Sequence, residues 1–343
     1  MRAAQLYEIG KPLRLVDIPT PTPGHGEVLV RVKASGICHS DVHYKYGVSP
    51  VGKLPITLGH EVAGIVEEVG PGVEGLEVGT PVAVHYQLSC GNCQYCRSGR
   101  EYLCRQGAMI GKHVDGGFAE YLKAPAWNIL KVPNGVPLEQ AAIIGCAVST
   151  PFHALRRARL RAGESVAVYG VGGIGIHAVQ LASRIFGAGL VIAVDLLEGK
   201  LRAARQVGAD ETVNASEVDP VEAIKELTGG GADVVVEAVG LRKTAEQSVE
   251  SAGKGGRVVL IGIGREYVQI QPYTQVILKE LEIIGSSDHN RQEMETLLRL
   301  VATGRLDLSK SITHRVSLDQ INEGMRILEE SIGNPIRVVV RQP

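Results

Sequence analysis

The chain has 343 residues, a length that suggests two domains at about 150 residues per domain. Thirty-six basic residues against 37 acidic ones give a net charge of −1, and only 4% of the residues are aromatic, which argues against a nucleic-acid partner. The N-terminus lacks the apolar core of an export signal, and no apolar run approaches the ~18 residues of a membrane helix, so we expect a cytoplasmic protein without membrane contact.

The first part of the chain has the pattern of a β-rich domain. Val-rich stretches bounded by Gly and Pro predict short strands at 28–35, 63–69 and 81–86. From about residue 138 the pattern changes, and LEQAAIIG and TPFHALRRA predict helices. The sequence therefore indicates a domain boundary shortly after residue 138.

Beyond this boundary, apolar runs alternate with helical segments. Six Val- and Ile-rich runs lie at 165–170, 190–195, 211–215, 233–240, 257–263 and 281–286. This alternation is typical of a doubly wound parallel sheet of α/β class. Helices predicted at 291–303 and 318–330 precede a last strand at 336–340, which we expect to return to the first domain. The predicted domains are thus 1–147 with 287–343, and 148–286.

A glycine-rich turn follows the first strand of the α/β region. The turn is Gly170-Val171-Gly172-Gly173-Ile174-Gly175, and a helix begins directly after it. The glycines suit a tight turn, a close approach to a pyrophosphate and close helix packing, and the helix N-terminus attracts phosphate. Asp195 ends the next strand, where its carboxylate would bind the ribose hydroxyls and repel a 2′-phosphate. These features predict NAD, rather than NADP, as the cofactor.

Four of the six cysteines lie close together. Cys90, Cys93, Cys96 and Cys104 have the spacing C-x2-C-x2-C-x7-C, which suits four thiolates around one zinc ion. Iron–sulfur proteins share the first part of this spacing, but there the fourth cysteine follows after three residues and precedes proline. With every position taken by cysteine, no site remains for a substrate, so we predict a structural zinc.

The remaining cysteines are dispersed, at Cys38 and Cys146. Either of these, or His60, is by itself more typical of a buried core residue than of a ligand. Their local sequences, GICHSDVH, LGHEVAG and IIGCAVSTPFHAL, lie at the ends of predicted strands and just ahead of the cofactor domain. Two thiolates, one imidazole and an open fourth position form a catalytic zinc site.

Five motifs together carry a resemblance to a known family. The GHE motif, the C-H-S-D-x-H run, the four-cysteine lobe, GCAVST and GVGGIG stand in an order and spacing that resembles the zinc-dependent alcohol dehydrogenases of the medium-chain dehydrogenase/reductase superfamily. The resemblance covers essentially the whole chain. It implies a discontinuous GroES-like catalytic domain, a Rossmann cofactor domain and an active site in the cleft between them, and it implies a homotetramer.

The resemblance also assigns roles to residues. It implies that Cys38, His60 and Cys146 bind the catalytic zinc, giving two zinc ions per chain. Asp41 and Glu61 would lie next to these ligands, and Ser40 and His43 would relay the alcohol proton to solvent. Further cofactor contacts are expected from His39, Thr150, Lys200, Ile263 and Arg337.

The predicted reaction moves a hydride from the carbon of a primary or secondary alcohol to NAD, which yields an aldehyde or ketone. A polyol or threonine dehydrogenase of the same superfamily is an alternative, although relatives of the polyol type typically carry Glu at the position of Cys146. A second alternative is a non-catalytic NAD-binding protein in which both zinc ions are structural.

Overall fold

The structure, a computed structural model, describes residues 1–343, and the chain divides into two compact units. One unit comprises Met1–Ser149 and His289–Pro343, and the other comprises Thr150–Asp288. The predicted domain limits lie two residues earlier at each of the two junctions. No helix combines the length and the apolar character that crossing a membrane requires.

The chain contains eighteen strands and ten α-helices. The strands are β1 Arg2–Leu6, β2 Arg14–Asp17, β3 Glu27–Ile37, β4 Ile56–Thr57, β5 Glu61–Val69, β6 Pro81–Val84, β7 Gln87–Leu88, β8 Ala108–Met109, β9 Tyr121–Pro125, β10 Ile129–Lys131, β11 Ser165–Tyr169, β12 Leu190–Asp195, β13 Glu211–Asn214, β14 Ala232–Glu237, β15 Ala252–Leu260, β16 Glu282–Gly285, β17 Ile312–Ser317 and β18 Arg337–Arg341. The helices are α1 His39–Lys45, α2 Gln94–Arg97, α3 Leu138–Ile143, α4 Ser149–Arg157, α5 Gly175–Leu181, α6 Glu198–Val207, α7 Pro220–Thr228, α8 Arg242–Ser251, α9 Arg291–Ala302 and α10 Ile321–Glu329.

The first unit is built on a seven-stranded sheet. Its strand order is β10-β6-β5-β3-β18-β17, and β9 pairs with β3 in addition. The C-terminal strand β18 lies antiparallel to β3, with Val338 opposite Ile37. The last strand therefore returns to the first domain, as predicted. Buried Val, Ile and Leu side chains from both faces of the sheet form two apolar clusters that hold the unit together.

The second unit is a parallel six-stranded sheet with the order β13-β12-β11-β14-β15-β16. All six apolar runs form its strands, which confirms the doubly wound fold. The strand predicted at 257–263 lies earlier in the structure, where β15 begins at Ala252 and ends at Leu260. Strand order reverses between β11 and β14, and ligands of such sheets bind where the strands end at that reversal.

Local chemistry sets the ends of several helices. Asp219 caps the N-terminus of α7 by accepting a hydrogen bond from the Val221 N–H at 2.8 Å, and Gly229 ends this helix in the left-handed conformation. Asn290 and Glu293 form a reciprocal capping box at the start of α9. The helix predicted at 318–330 begins as a 3-10 turn over Leu318–Gln320 and continues as α10.

Candidate functional site

Two cysteines and a histidine from separate parts of the first unit meet in its interior. Cys38 follows β3, His60 precedes β5, and Cys146 lies in a π-helical turn over Ile144–Val148. Their ligand atoms, together with a carboxylate oxygen of Glu61, all lie within 4.8 Å of one another, and all four residues are buried. The turn is a local widening of the helix that continues from α3, a feature that is frequent at functional sites.

Asp41 holds this cluster in place. Its Oδ2 accepts a hydrogen bond from the Cys38 N–H at 2.8 Å, and its Oδ1 accepts one from the Gly59 N–H at 3.3 Å. The same Oδ1 lies 3.5 Å from Nδ1 of His60. Because Nδ1 faces Asp41, Nε2 is the nitrogen left for a metal. The capping box of α1 accounts for the position of Asp41, since the carboxylate reaches back to the backbone of Cys38.

The surroundings of Cys38 favour its thiolate, whereas the hydrogen bond with Cys38 and burial raise the pKa of Cys146 well above its usual value. A hydrogen bond from Cys146 lowers the pKa of Cys38 well below its usual value, and the nearby Arg337 charge acts in the same direction. Two sulfurs and one imidazole nitrogen, buried and converging, form a donor set that suits Zn²⁺. The residues present therefore fit a catalytic zinc.

Glu61 is paired with Arg337. The guanidinium Nε donates to Oε2 at 3.0 Å, and its Nη2 donates to Oε1, which also accepts the Ala147 N–H at 3.0 Å. Burial raises the pKa of Glu61 to about 7, and the Arg337 charge opposes that shift. The Arg337 side chain is only 2% exposed, and its guanidinium is buried against the Glu61 carboxylate. Its expected contact with a pyrophosphate stays a prediction.

The expected relay residues share one helix. Ser40 and His43 are three positions apart on α1, and Ser40 Oγ lies 3.7 Å from the Cys38 sulfur. His43 Nδ1 is buried without a hydrogen-bond partner, and burial together with the nearby His39 lowers the pKa of this imidazole. Residues three apart face the same side of a helix, so Ser40 and His43 lie on one side of α1.

The other four cysteines form a lobe around α2. Sγ of Cys93 lies 3.5 Å from Sγ of Cys96 and 4.0 Å from Sγ of Cys104, and Cys90 completes the group. These separations exceed the length of a disulfide bond, and all six cysteines of the chain are free thiols. Hydrogen bonds from the backbone of Cys96 lower the pKa of Cys93 to about 6. Burial raises the pKa of Cys96 to about 11. Four sulfurs that converge at these separations fit a second zinc ion.

The glycine-rich turn of the second unit has the conformation expected of it. Gly170 has a φ of +83°, which favours glycine, and a Cβ on Gly175 would lie 1.8 Å from the Gly170 carbonyl oxygen. No atom lies within 4 Å of the position that a Cβ on Gly172 would occupy, so a ligand can approach the backbone there. The neighbouring Gly173 carbonyl accepts a hydrogen bond from Nδ1 of His177 at 2.8 Å, and Ile174 precedes the first residue of α5.

Asp195 ends β12 beside this turn. Its Oδ2 accepts the Val171 N–H at 2.9 Å, while Oδ1 accepts the N–H groups of Leu196 and Leu197 at 2.8 and 3.1 Å. The carboxylate therefore fixes the turn to the end of the neighbouring strand. The remaining expected cofactor residues lie on other elements. Lys200, shortly after Asp195 in the chain, is half-buried on α6, and Thr150 is buried in α4. His39 is exposed on α1, and Ile263 is 45% exposed after β15.

Comparisons with known proteins agree with this structure. The family model of the alcohol dehydrogenase GroES-like domain matches residues 24–134, and that of the zinc-binding dehydrogenase matches residues 173–303. An alcohol dehydrogenase of Geobacillus stearothermophilus is 41% identical over 345 residues, covering 99% of both chains. An L-threonine 3-dehydrogenase of Pyrococcus horikoshii is 36% identical over 323 residues, covering 92% of this chain and 91% of the relative. A solved structure of a Sinorhizobium meliloti 1021 protein bound to NADP has a TM-score of 0.92 at 35% identity, with 99% coverage of both chains.

A GroES-like sheet, a doubly wound dinucleotide fold and two thiol-rich clusters define a zinc-binding, nucleotide-dependent oxidoreductase. The chain belongs to the zinc-type alcohol dehydrogenases of the medium-chain dehydrogenase/reductase superfamily. Its membership supports zinc and a nicotinamide dinucleotide as cofactors and a small molecule as substrate.

Proposed function

We propose that this protein oxidises a primary or secondary alcohol to an aldehyde or ketone, reversibly, with NAD as hydride acceptor. The observation that carries the proposal is the buried convergence of Cys38, His60 and Cys146, with the Ser40 hydroxyl beside Cys38. A structural metal needs a closed set of four strong ligands, as the four-cysteine lobe provides. Three such ligands next to a hydroxyl group favour catalysis instead.

The chain's own residues supply distinct parts of the reaction. Cys38, His60 and Cys146 hold a zinc ion, which when bound supplies Lewis acidity that lowers the pKa of a coordinated hydroxyl group. Ser40 Oγ accepts the proton of the alcohol. His43 passes the proton on to water, and its lowered pKa keeps the imidazole neutral and able to accept a proton at neutral pH.

Asp41 and Glu61 prepare the site without touching the substrate. The Asp41 carboxylate faces Nδ1 of His60, which leaves Nε2 for the metal. Glu61 neutralises Arg337 and holds the backbone of the turn that carries Cys146 through the Ala147 N–H. The lobe of Cys90, Cys93, Cys96 and Cys104 binds the second, structural zinc of the chain.

For the cofactor, we propose NAD rather than NADP. The Gly170–Gly175 turn leaves open backbone for a pyrophosphate, and Asp195 presents a negative charge at the end of β12, where a 2′-phosphate would be repelled. The next two residues, Leu196 and Leu197, offer no cation to a phosphate. His39, Thr150, Lys200, Ile263 and Arg337 are proposed as further cofactor contacts.

A second candidate is oxidation of L-threonine, because relatives with that name match 92% of this chain at 36% identity.

We further propose a cytoplasmic homotetramer. Its support is the outer strand β16, which carries the 37% exposed Ile283 on an unpaired sheet edge of the second unit.

The test is NADH formation at 340 nm with a panel of simple alcohols, polyols and L-threonine. The proposal expects the highest kcat/KM with a simple alcohol, and a loss of about 10²-fold or more in kcat for Ser40→Ala. A preference for L-threonine would select the second candidate. No turnover of any compound by protein with two bound zinc ions would contradict both.

A further inference from the structure

Three buried rings follow one another from His60 into the core of the first unit. The ring of Tyr86 lies 5.1 Å from that of His60 at 76°, and the ring of His289 lies 5.2 Å from Tyr86 at 84°. His85 continues the stack, 5.0 Å from His289 at 65°. Tyr86 is 1% exposed, and both histidines are fully buried. None of the three has a part in the proposed reaction.

The polar contact of His60 does not by itself fix its ring. Nδ1 lies 3.5 Å from the Asp41 carboxylate, a separation beyond the usual length of a hydrogen bond. Tyr44 is the other aromatic neighbour, at 6.4 Å. Tyr86 is therefore the nearest ring, and its edge-to-face contact opposes rotation of the imidazole about the bond that joins it to the chain.

Tyr86 is itself held from its other side. Nδ1 of His85 and Nε2 of His289 are 3.3 Å apart, so one imidazole donates a proton to the other. Burial lowers the pKa of His85 to about 3, and the charge of Arg291 acts in the same direction, so this imidazole is neutral. A neutral imidazole that is hydrogen-bonded can remain buried without a counter-ion.

Hydrogen bonds anchor the backbone of His85 directly and that of His289 through the two residues that follow it. His85 exchanges two hydrogen bonds with Asn128, since its N–H donates to the Asn128 carbonyl at 2.8 Å and its carbonyl accepts from Nδ2 at 2.7 Å. His289 precedes Asn290, whose Nδ2 donates to the Gly99 carbonyl at 3.0 Å, and the next N–H, of Arg291, donates to Glu101 at 2.7 Å. The stack thus has fixed supports at its far end.

We propose that Tyr86, held by the His85–His289 pair, is a positioning residue that keeps the imidazole of His60 in its ligating orientation and so retains the metal at the buried site. This inference rests on the proposed function, because it takes Cys38, His60 and Cys146 as metal ligands. We assign this role to the ring of Tyr86 and not to its hydroxyl group.

The test measures zinc release from the purified protein into a chromophoric chelator. Tyr86→Leu should release one of its two zinc ions about 10-fold faster or more, the range seen when a residue that orients a ligand is lost. The other zinc ion, in the four-cysteine lobe, should leave at the wild-type rate and serves as an internal control. Tyr86→Phe keeps the ring and should match the wild type at both sites.

The His289→Leu variant and the absorption spectrum of Co²⁺ at the buried site test the same inference independently. His289→Leu removes the outer support and should accelerate release from the same site, by less than Tyr86→Leu does. With Co²⁺ at the buried site, the visible absorption bands should shift in Tyr86→Leu and stay unchanged in Tyr86→Phe. The inference would be overturned if Tyr86→Leu released zinc at the wild-type rate, or if zinc release were accelerated equally at both sites. A wild-type protein holding only the four-cysteine zinc would instead contradict the proposed function on which it rests.

Discussion

Arg337 and Glu61 form an ion pair that passes over the strand lying between them. Arg337 begins β18 and Glu61 begins β5, and both strands pair with β3, where Gly36 lies opposite Glu61. A Cβ on Gly36 would lie 1.9 Å from Oε2 of Glu61. The absence of a side chain at residue 36 thus leaves the space that the ion pair occupies.

This relationship predicts that Gly36→Ala displaces the Glu61 carboxylate and breaks the pair. Removing one partner of a buried pair costs about 3–5 kcal/mol, so we expect a loss of this order in the free energy of unfolding. Urea denaturation measures it. The matched control is Gly285→Ala in β16, where nothing lies within 4 Å of the added methyl group. A similar stability for the two variants would contradict this account of Gly36.

The relay predicts a pH-dependent effect of His43→Gln. The base form of the imidazole accepts the proton, and because burial and the nearby His39 lower its pKa, that form persists to lower pH than in a free histidine. Glutamine cannot accept the proton, whereas hydroxide takes over at high pH. We therefore expect the deficit in kcat to be largest at low pH and to shrink above neutrality.

The zinc content of His43→Gln should equal that of the wild type, since His43 lies outside the cluster of ligand atoms. His25→Gln, at an exposed histidine, is the control and should leave the profile unchanged. A His43→Gln profile that runs parallel to the wild type at every pH would remove His43 from the relay.

Asp195 predicts the cofactor preference. In Asp195→Asn the charge that repels a 2′-phosphate is gone, so the ratio of kcat/KM with NAD to that with NADP should fall by about 10-fold, equivalent to about 1.4 kcal/mol. Asp210→Asn is the control, because Asp210 also accepts a backbone N–H, that of Val191 at the start of the same strand. A wild-type enzyme that favours NADP would refute the assignment directly.

The four-cysteine lobe predicts a separable contribution to stability. Cys93→Ser should lose one of the two zinc ions and lower the melting temperature, because structural metal binding contributes directly to folding. The zinc ion that remains should still support alcohol oxidation by the folded fraction. Metal analysis and thermal unfolding measure the two effects, and a Cys93→Ser protein that keeps both zinc ions would contradict the assignment.

Much of the fold was predictable because its determinants are local. The strand β14 is a run of Val between turns, and the Gly170–Gly175 turn stands between a strand and a helix, so each was recognisable within a short window. Likewise, the spacing of Cys90, Cys93, Cys96 and Cys104 alone indicated one metal site.

Other features depend on distant partners and were not predicted. Glu61 and Arg337 are 276 residues apart, and only the sheet order brings them together. No sequence pattern indicates the π-helical turn that carries Cys146. Helix α1 was also missed, because its N-cap is Cys38 rather than a usual capping residue, although Asp41 three residues later is the position a capping box requires.

The central claim is that the buried cluster, and not the four-cysteine lobe, holds the zinc ion needed for alcohol oxidation. The most direct test is Cys146→Ser, examined for zinc content, NADH binding by fluorescence and NADH formation from an alcohol. We expect one zinc ion per chain, NADH binding like that of the wild type and a kcat reduced by about 10²-fold or more. A Cys146→Ser protein that oxidises the alcohol at the wild-type rate with a single zinc ion would contradict the claim.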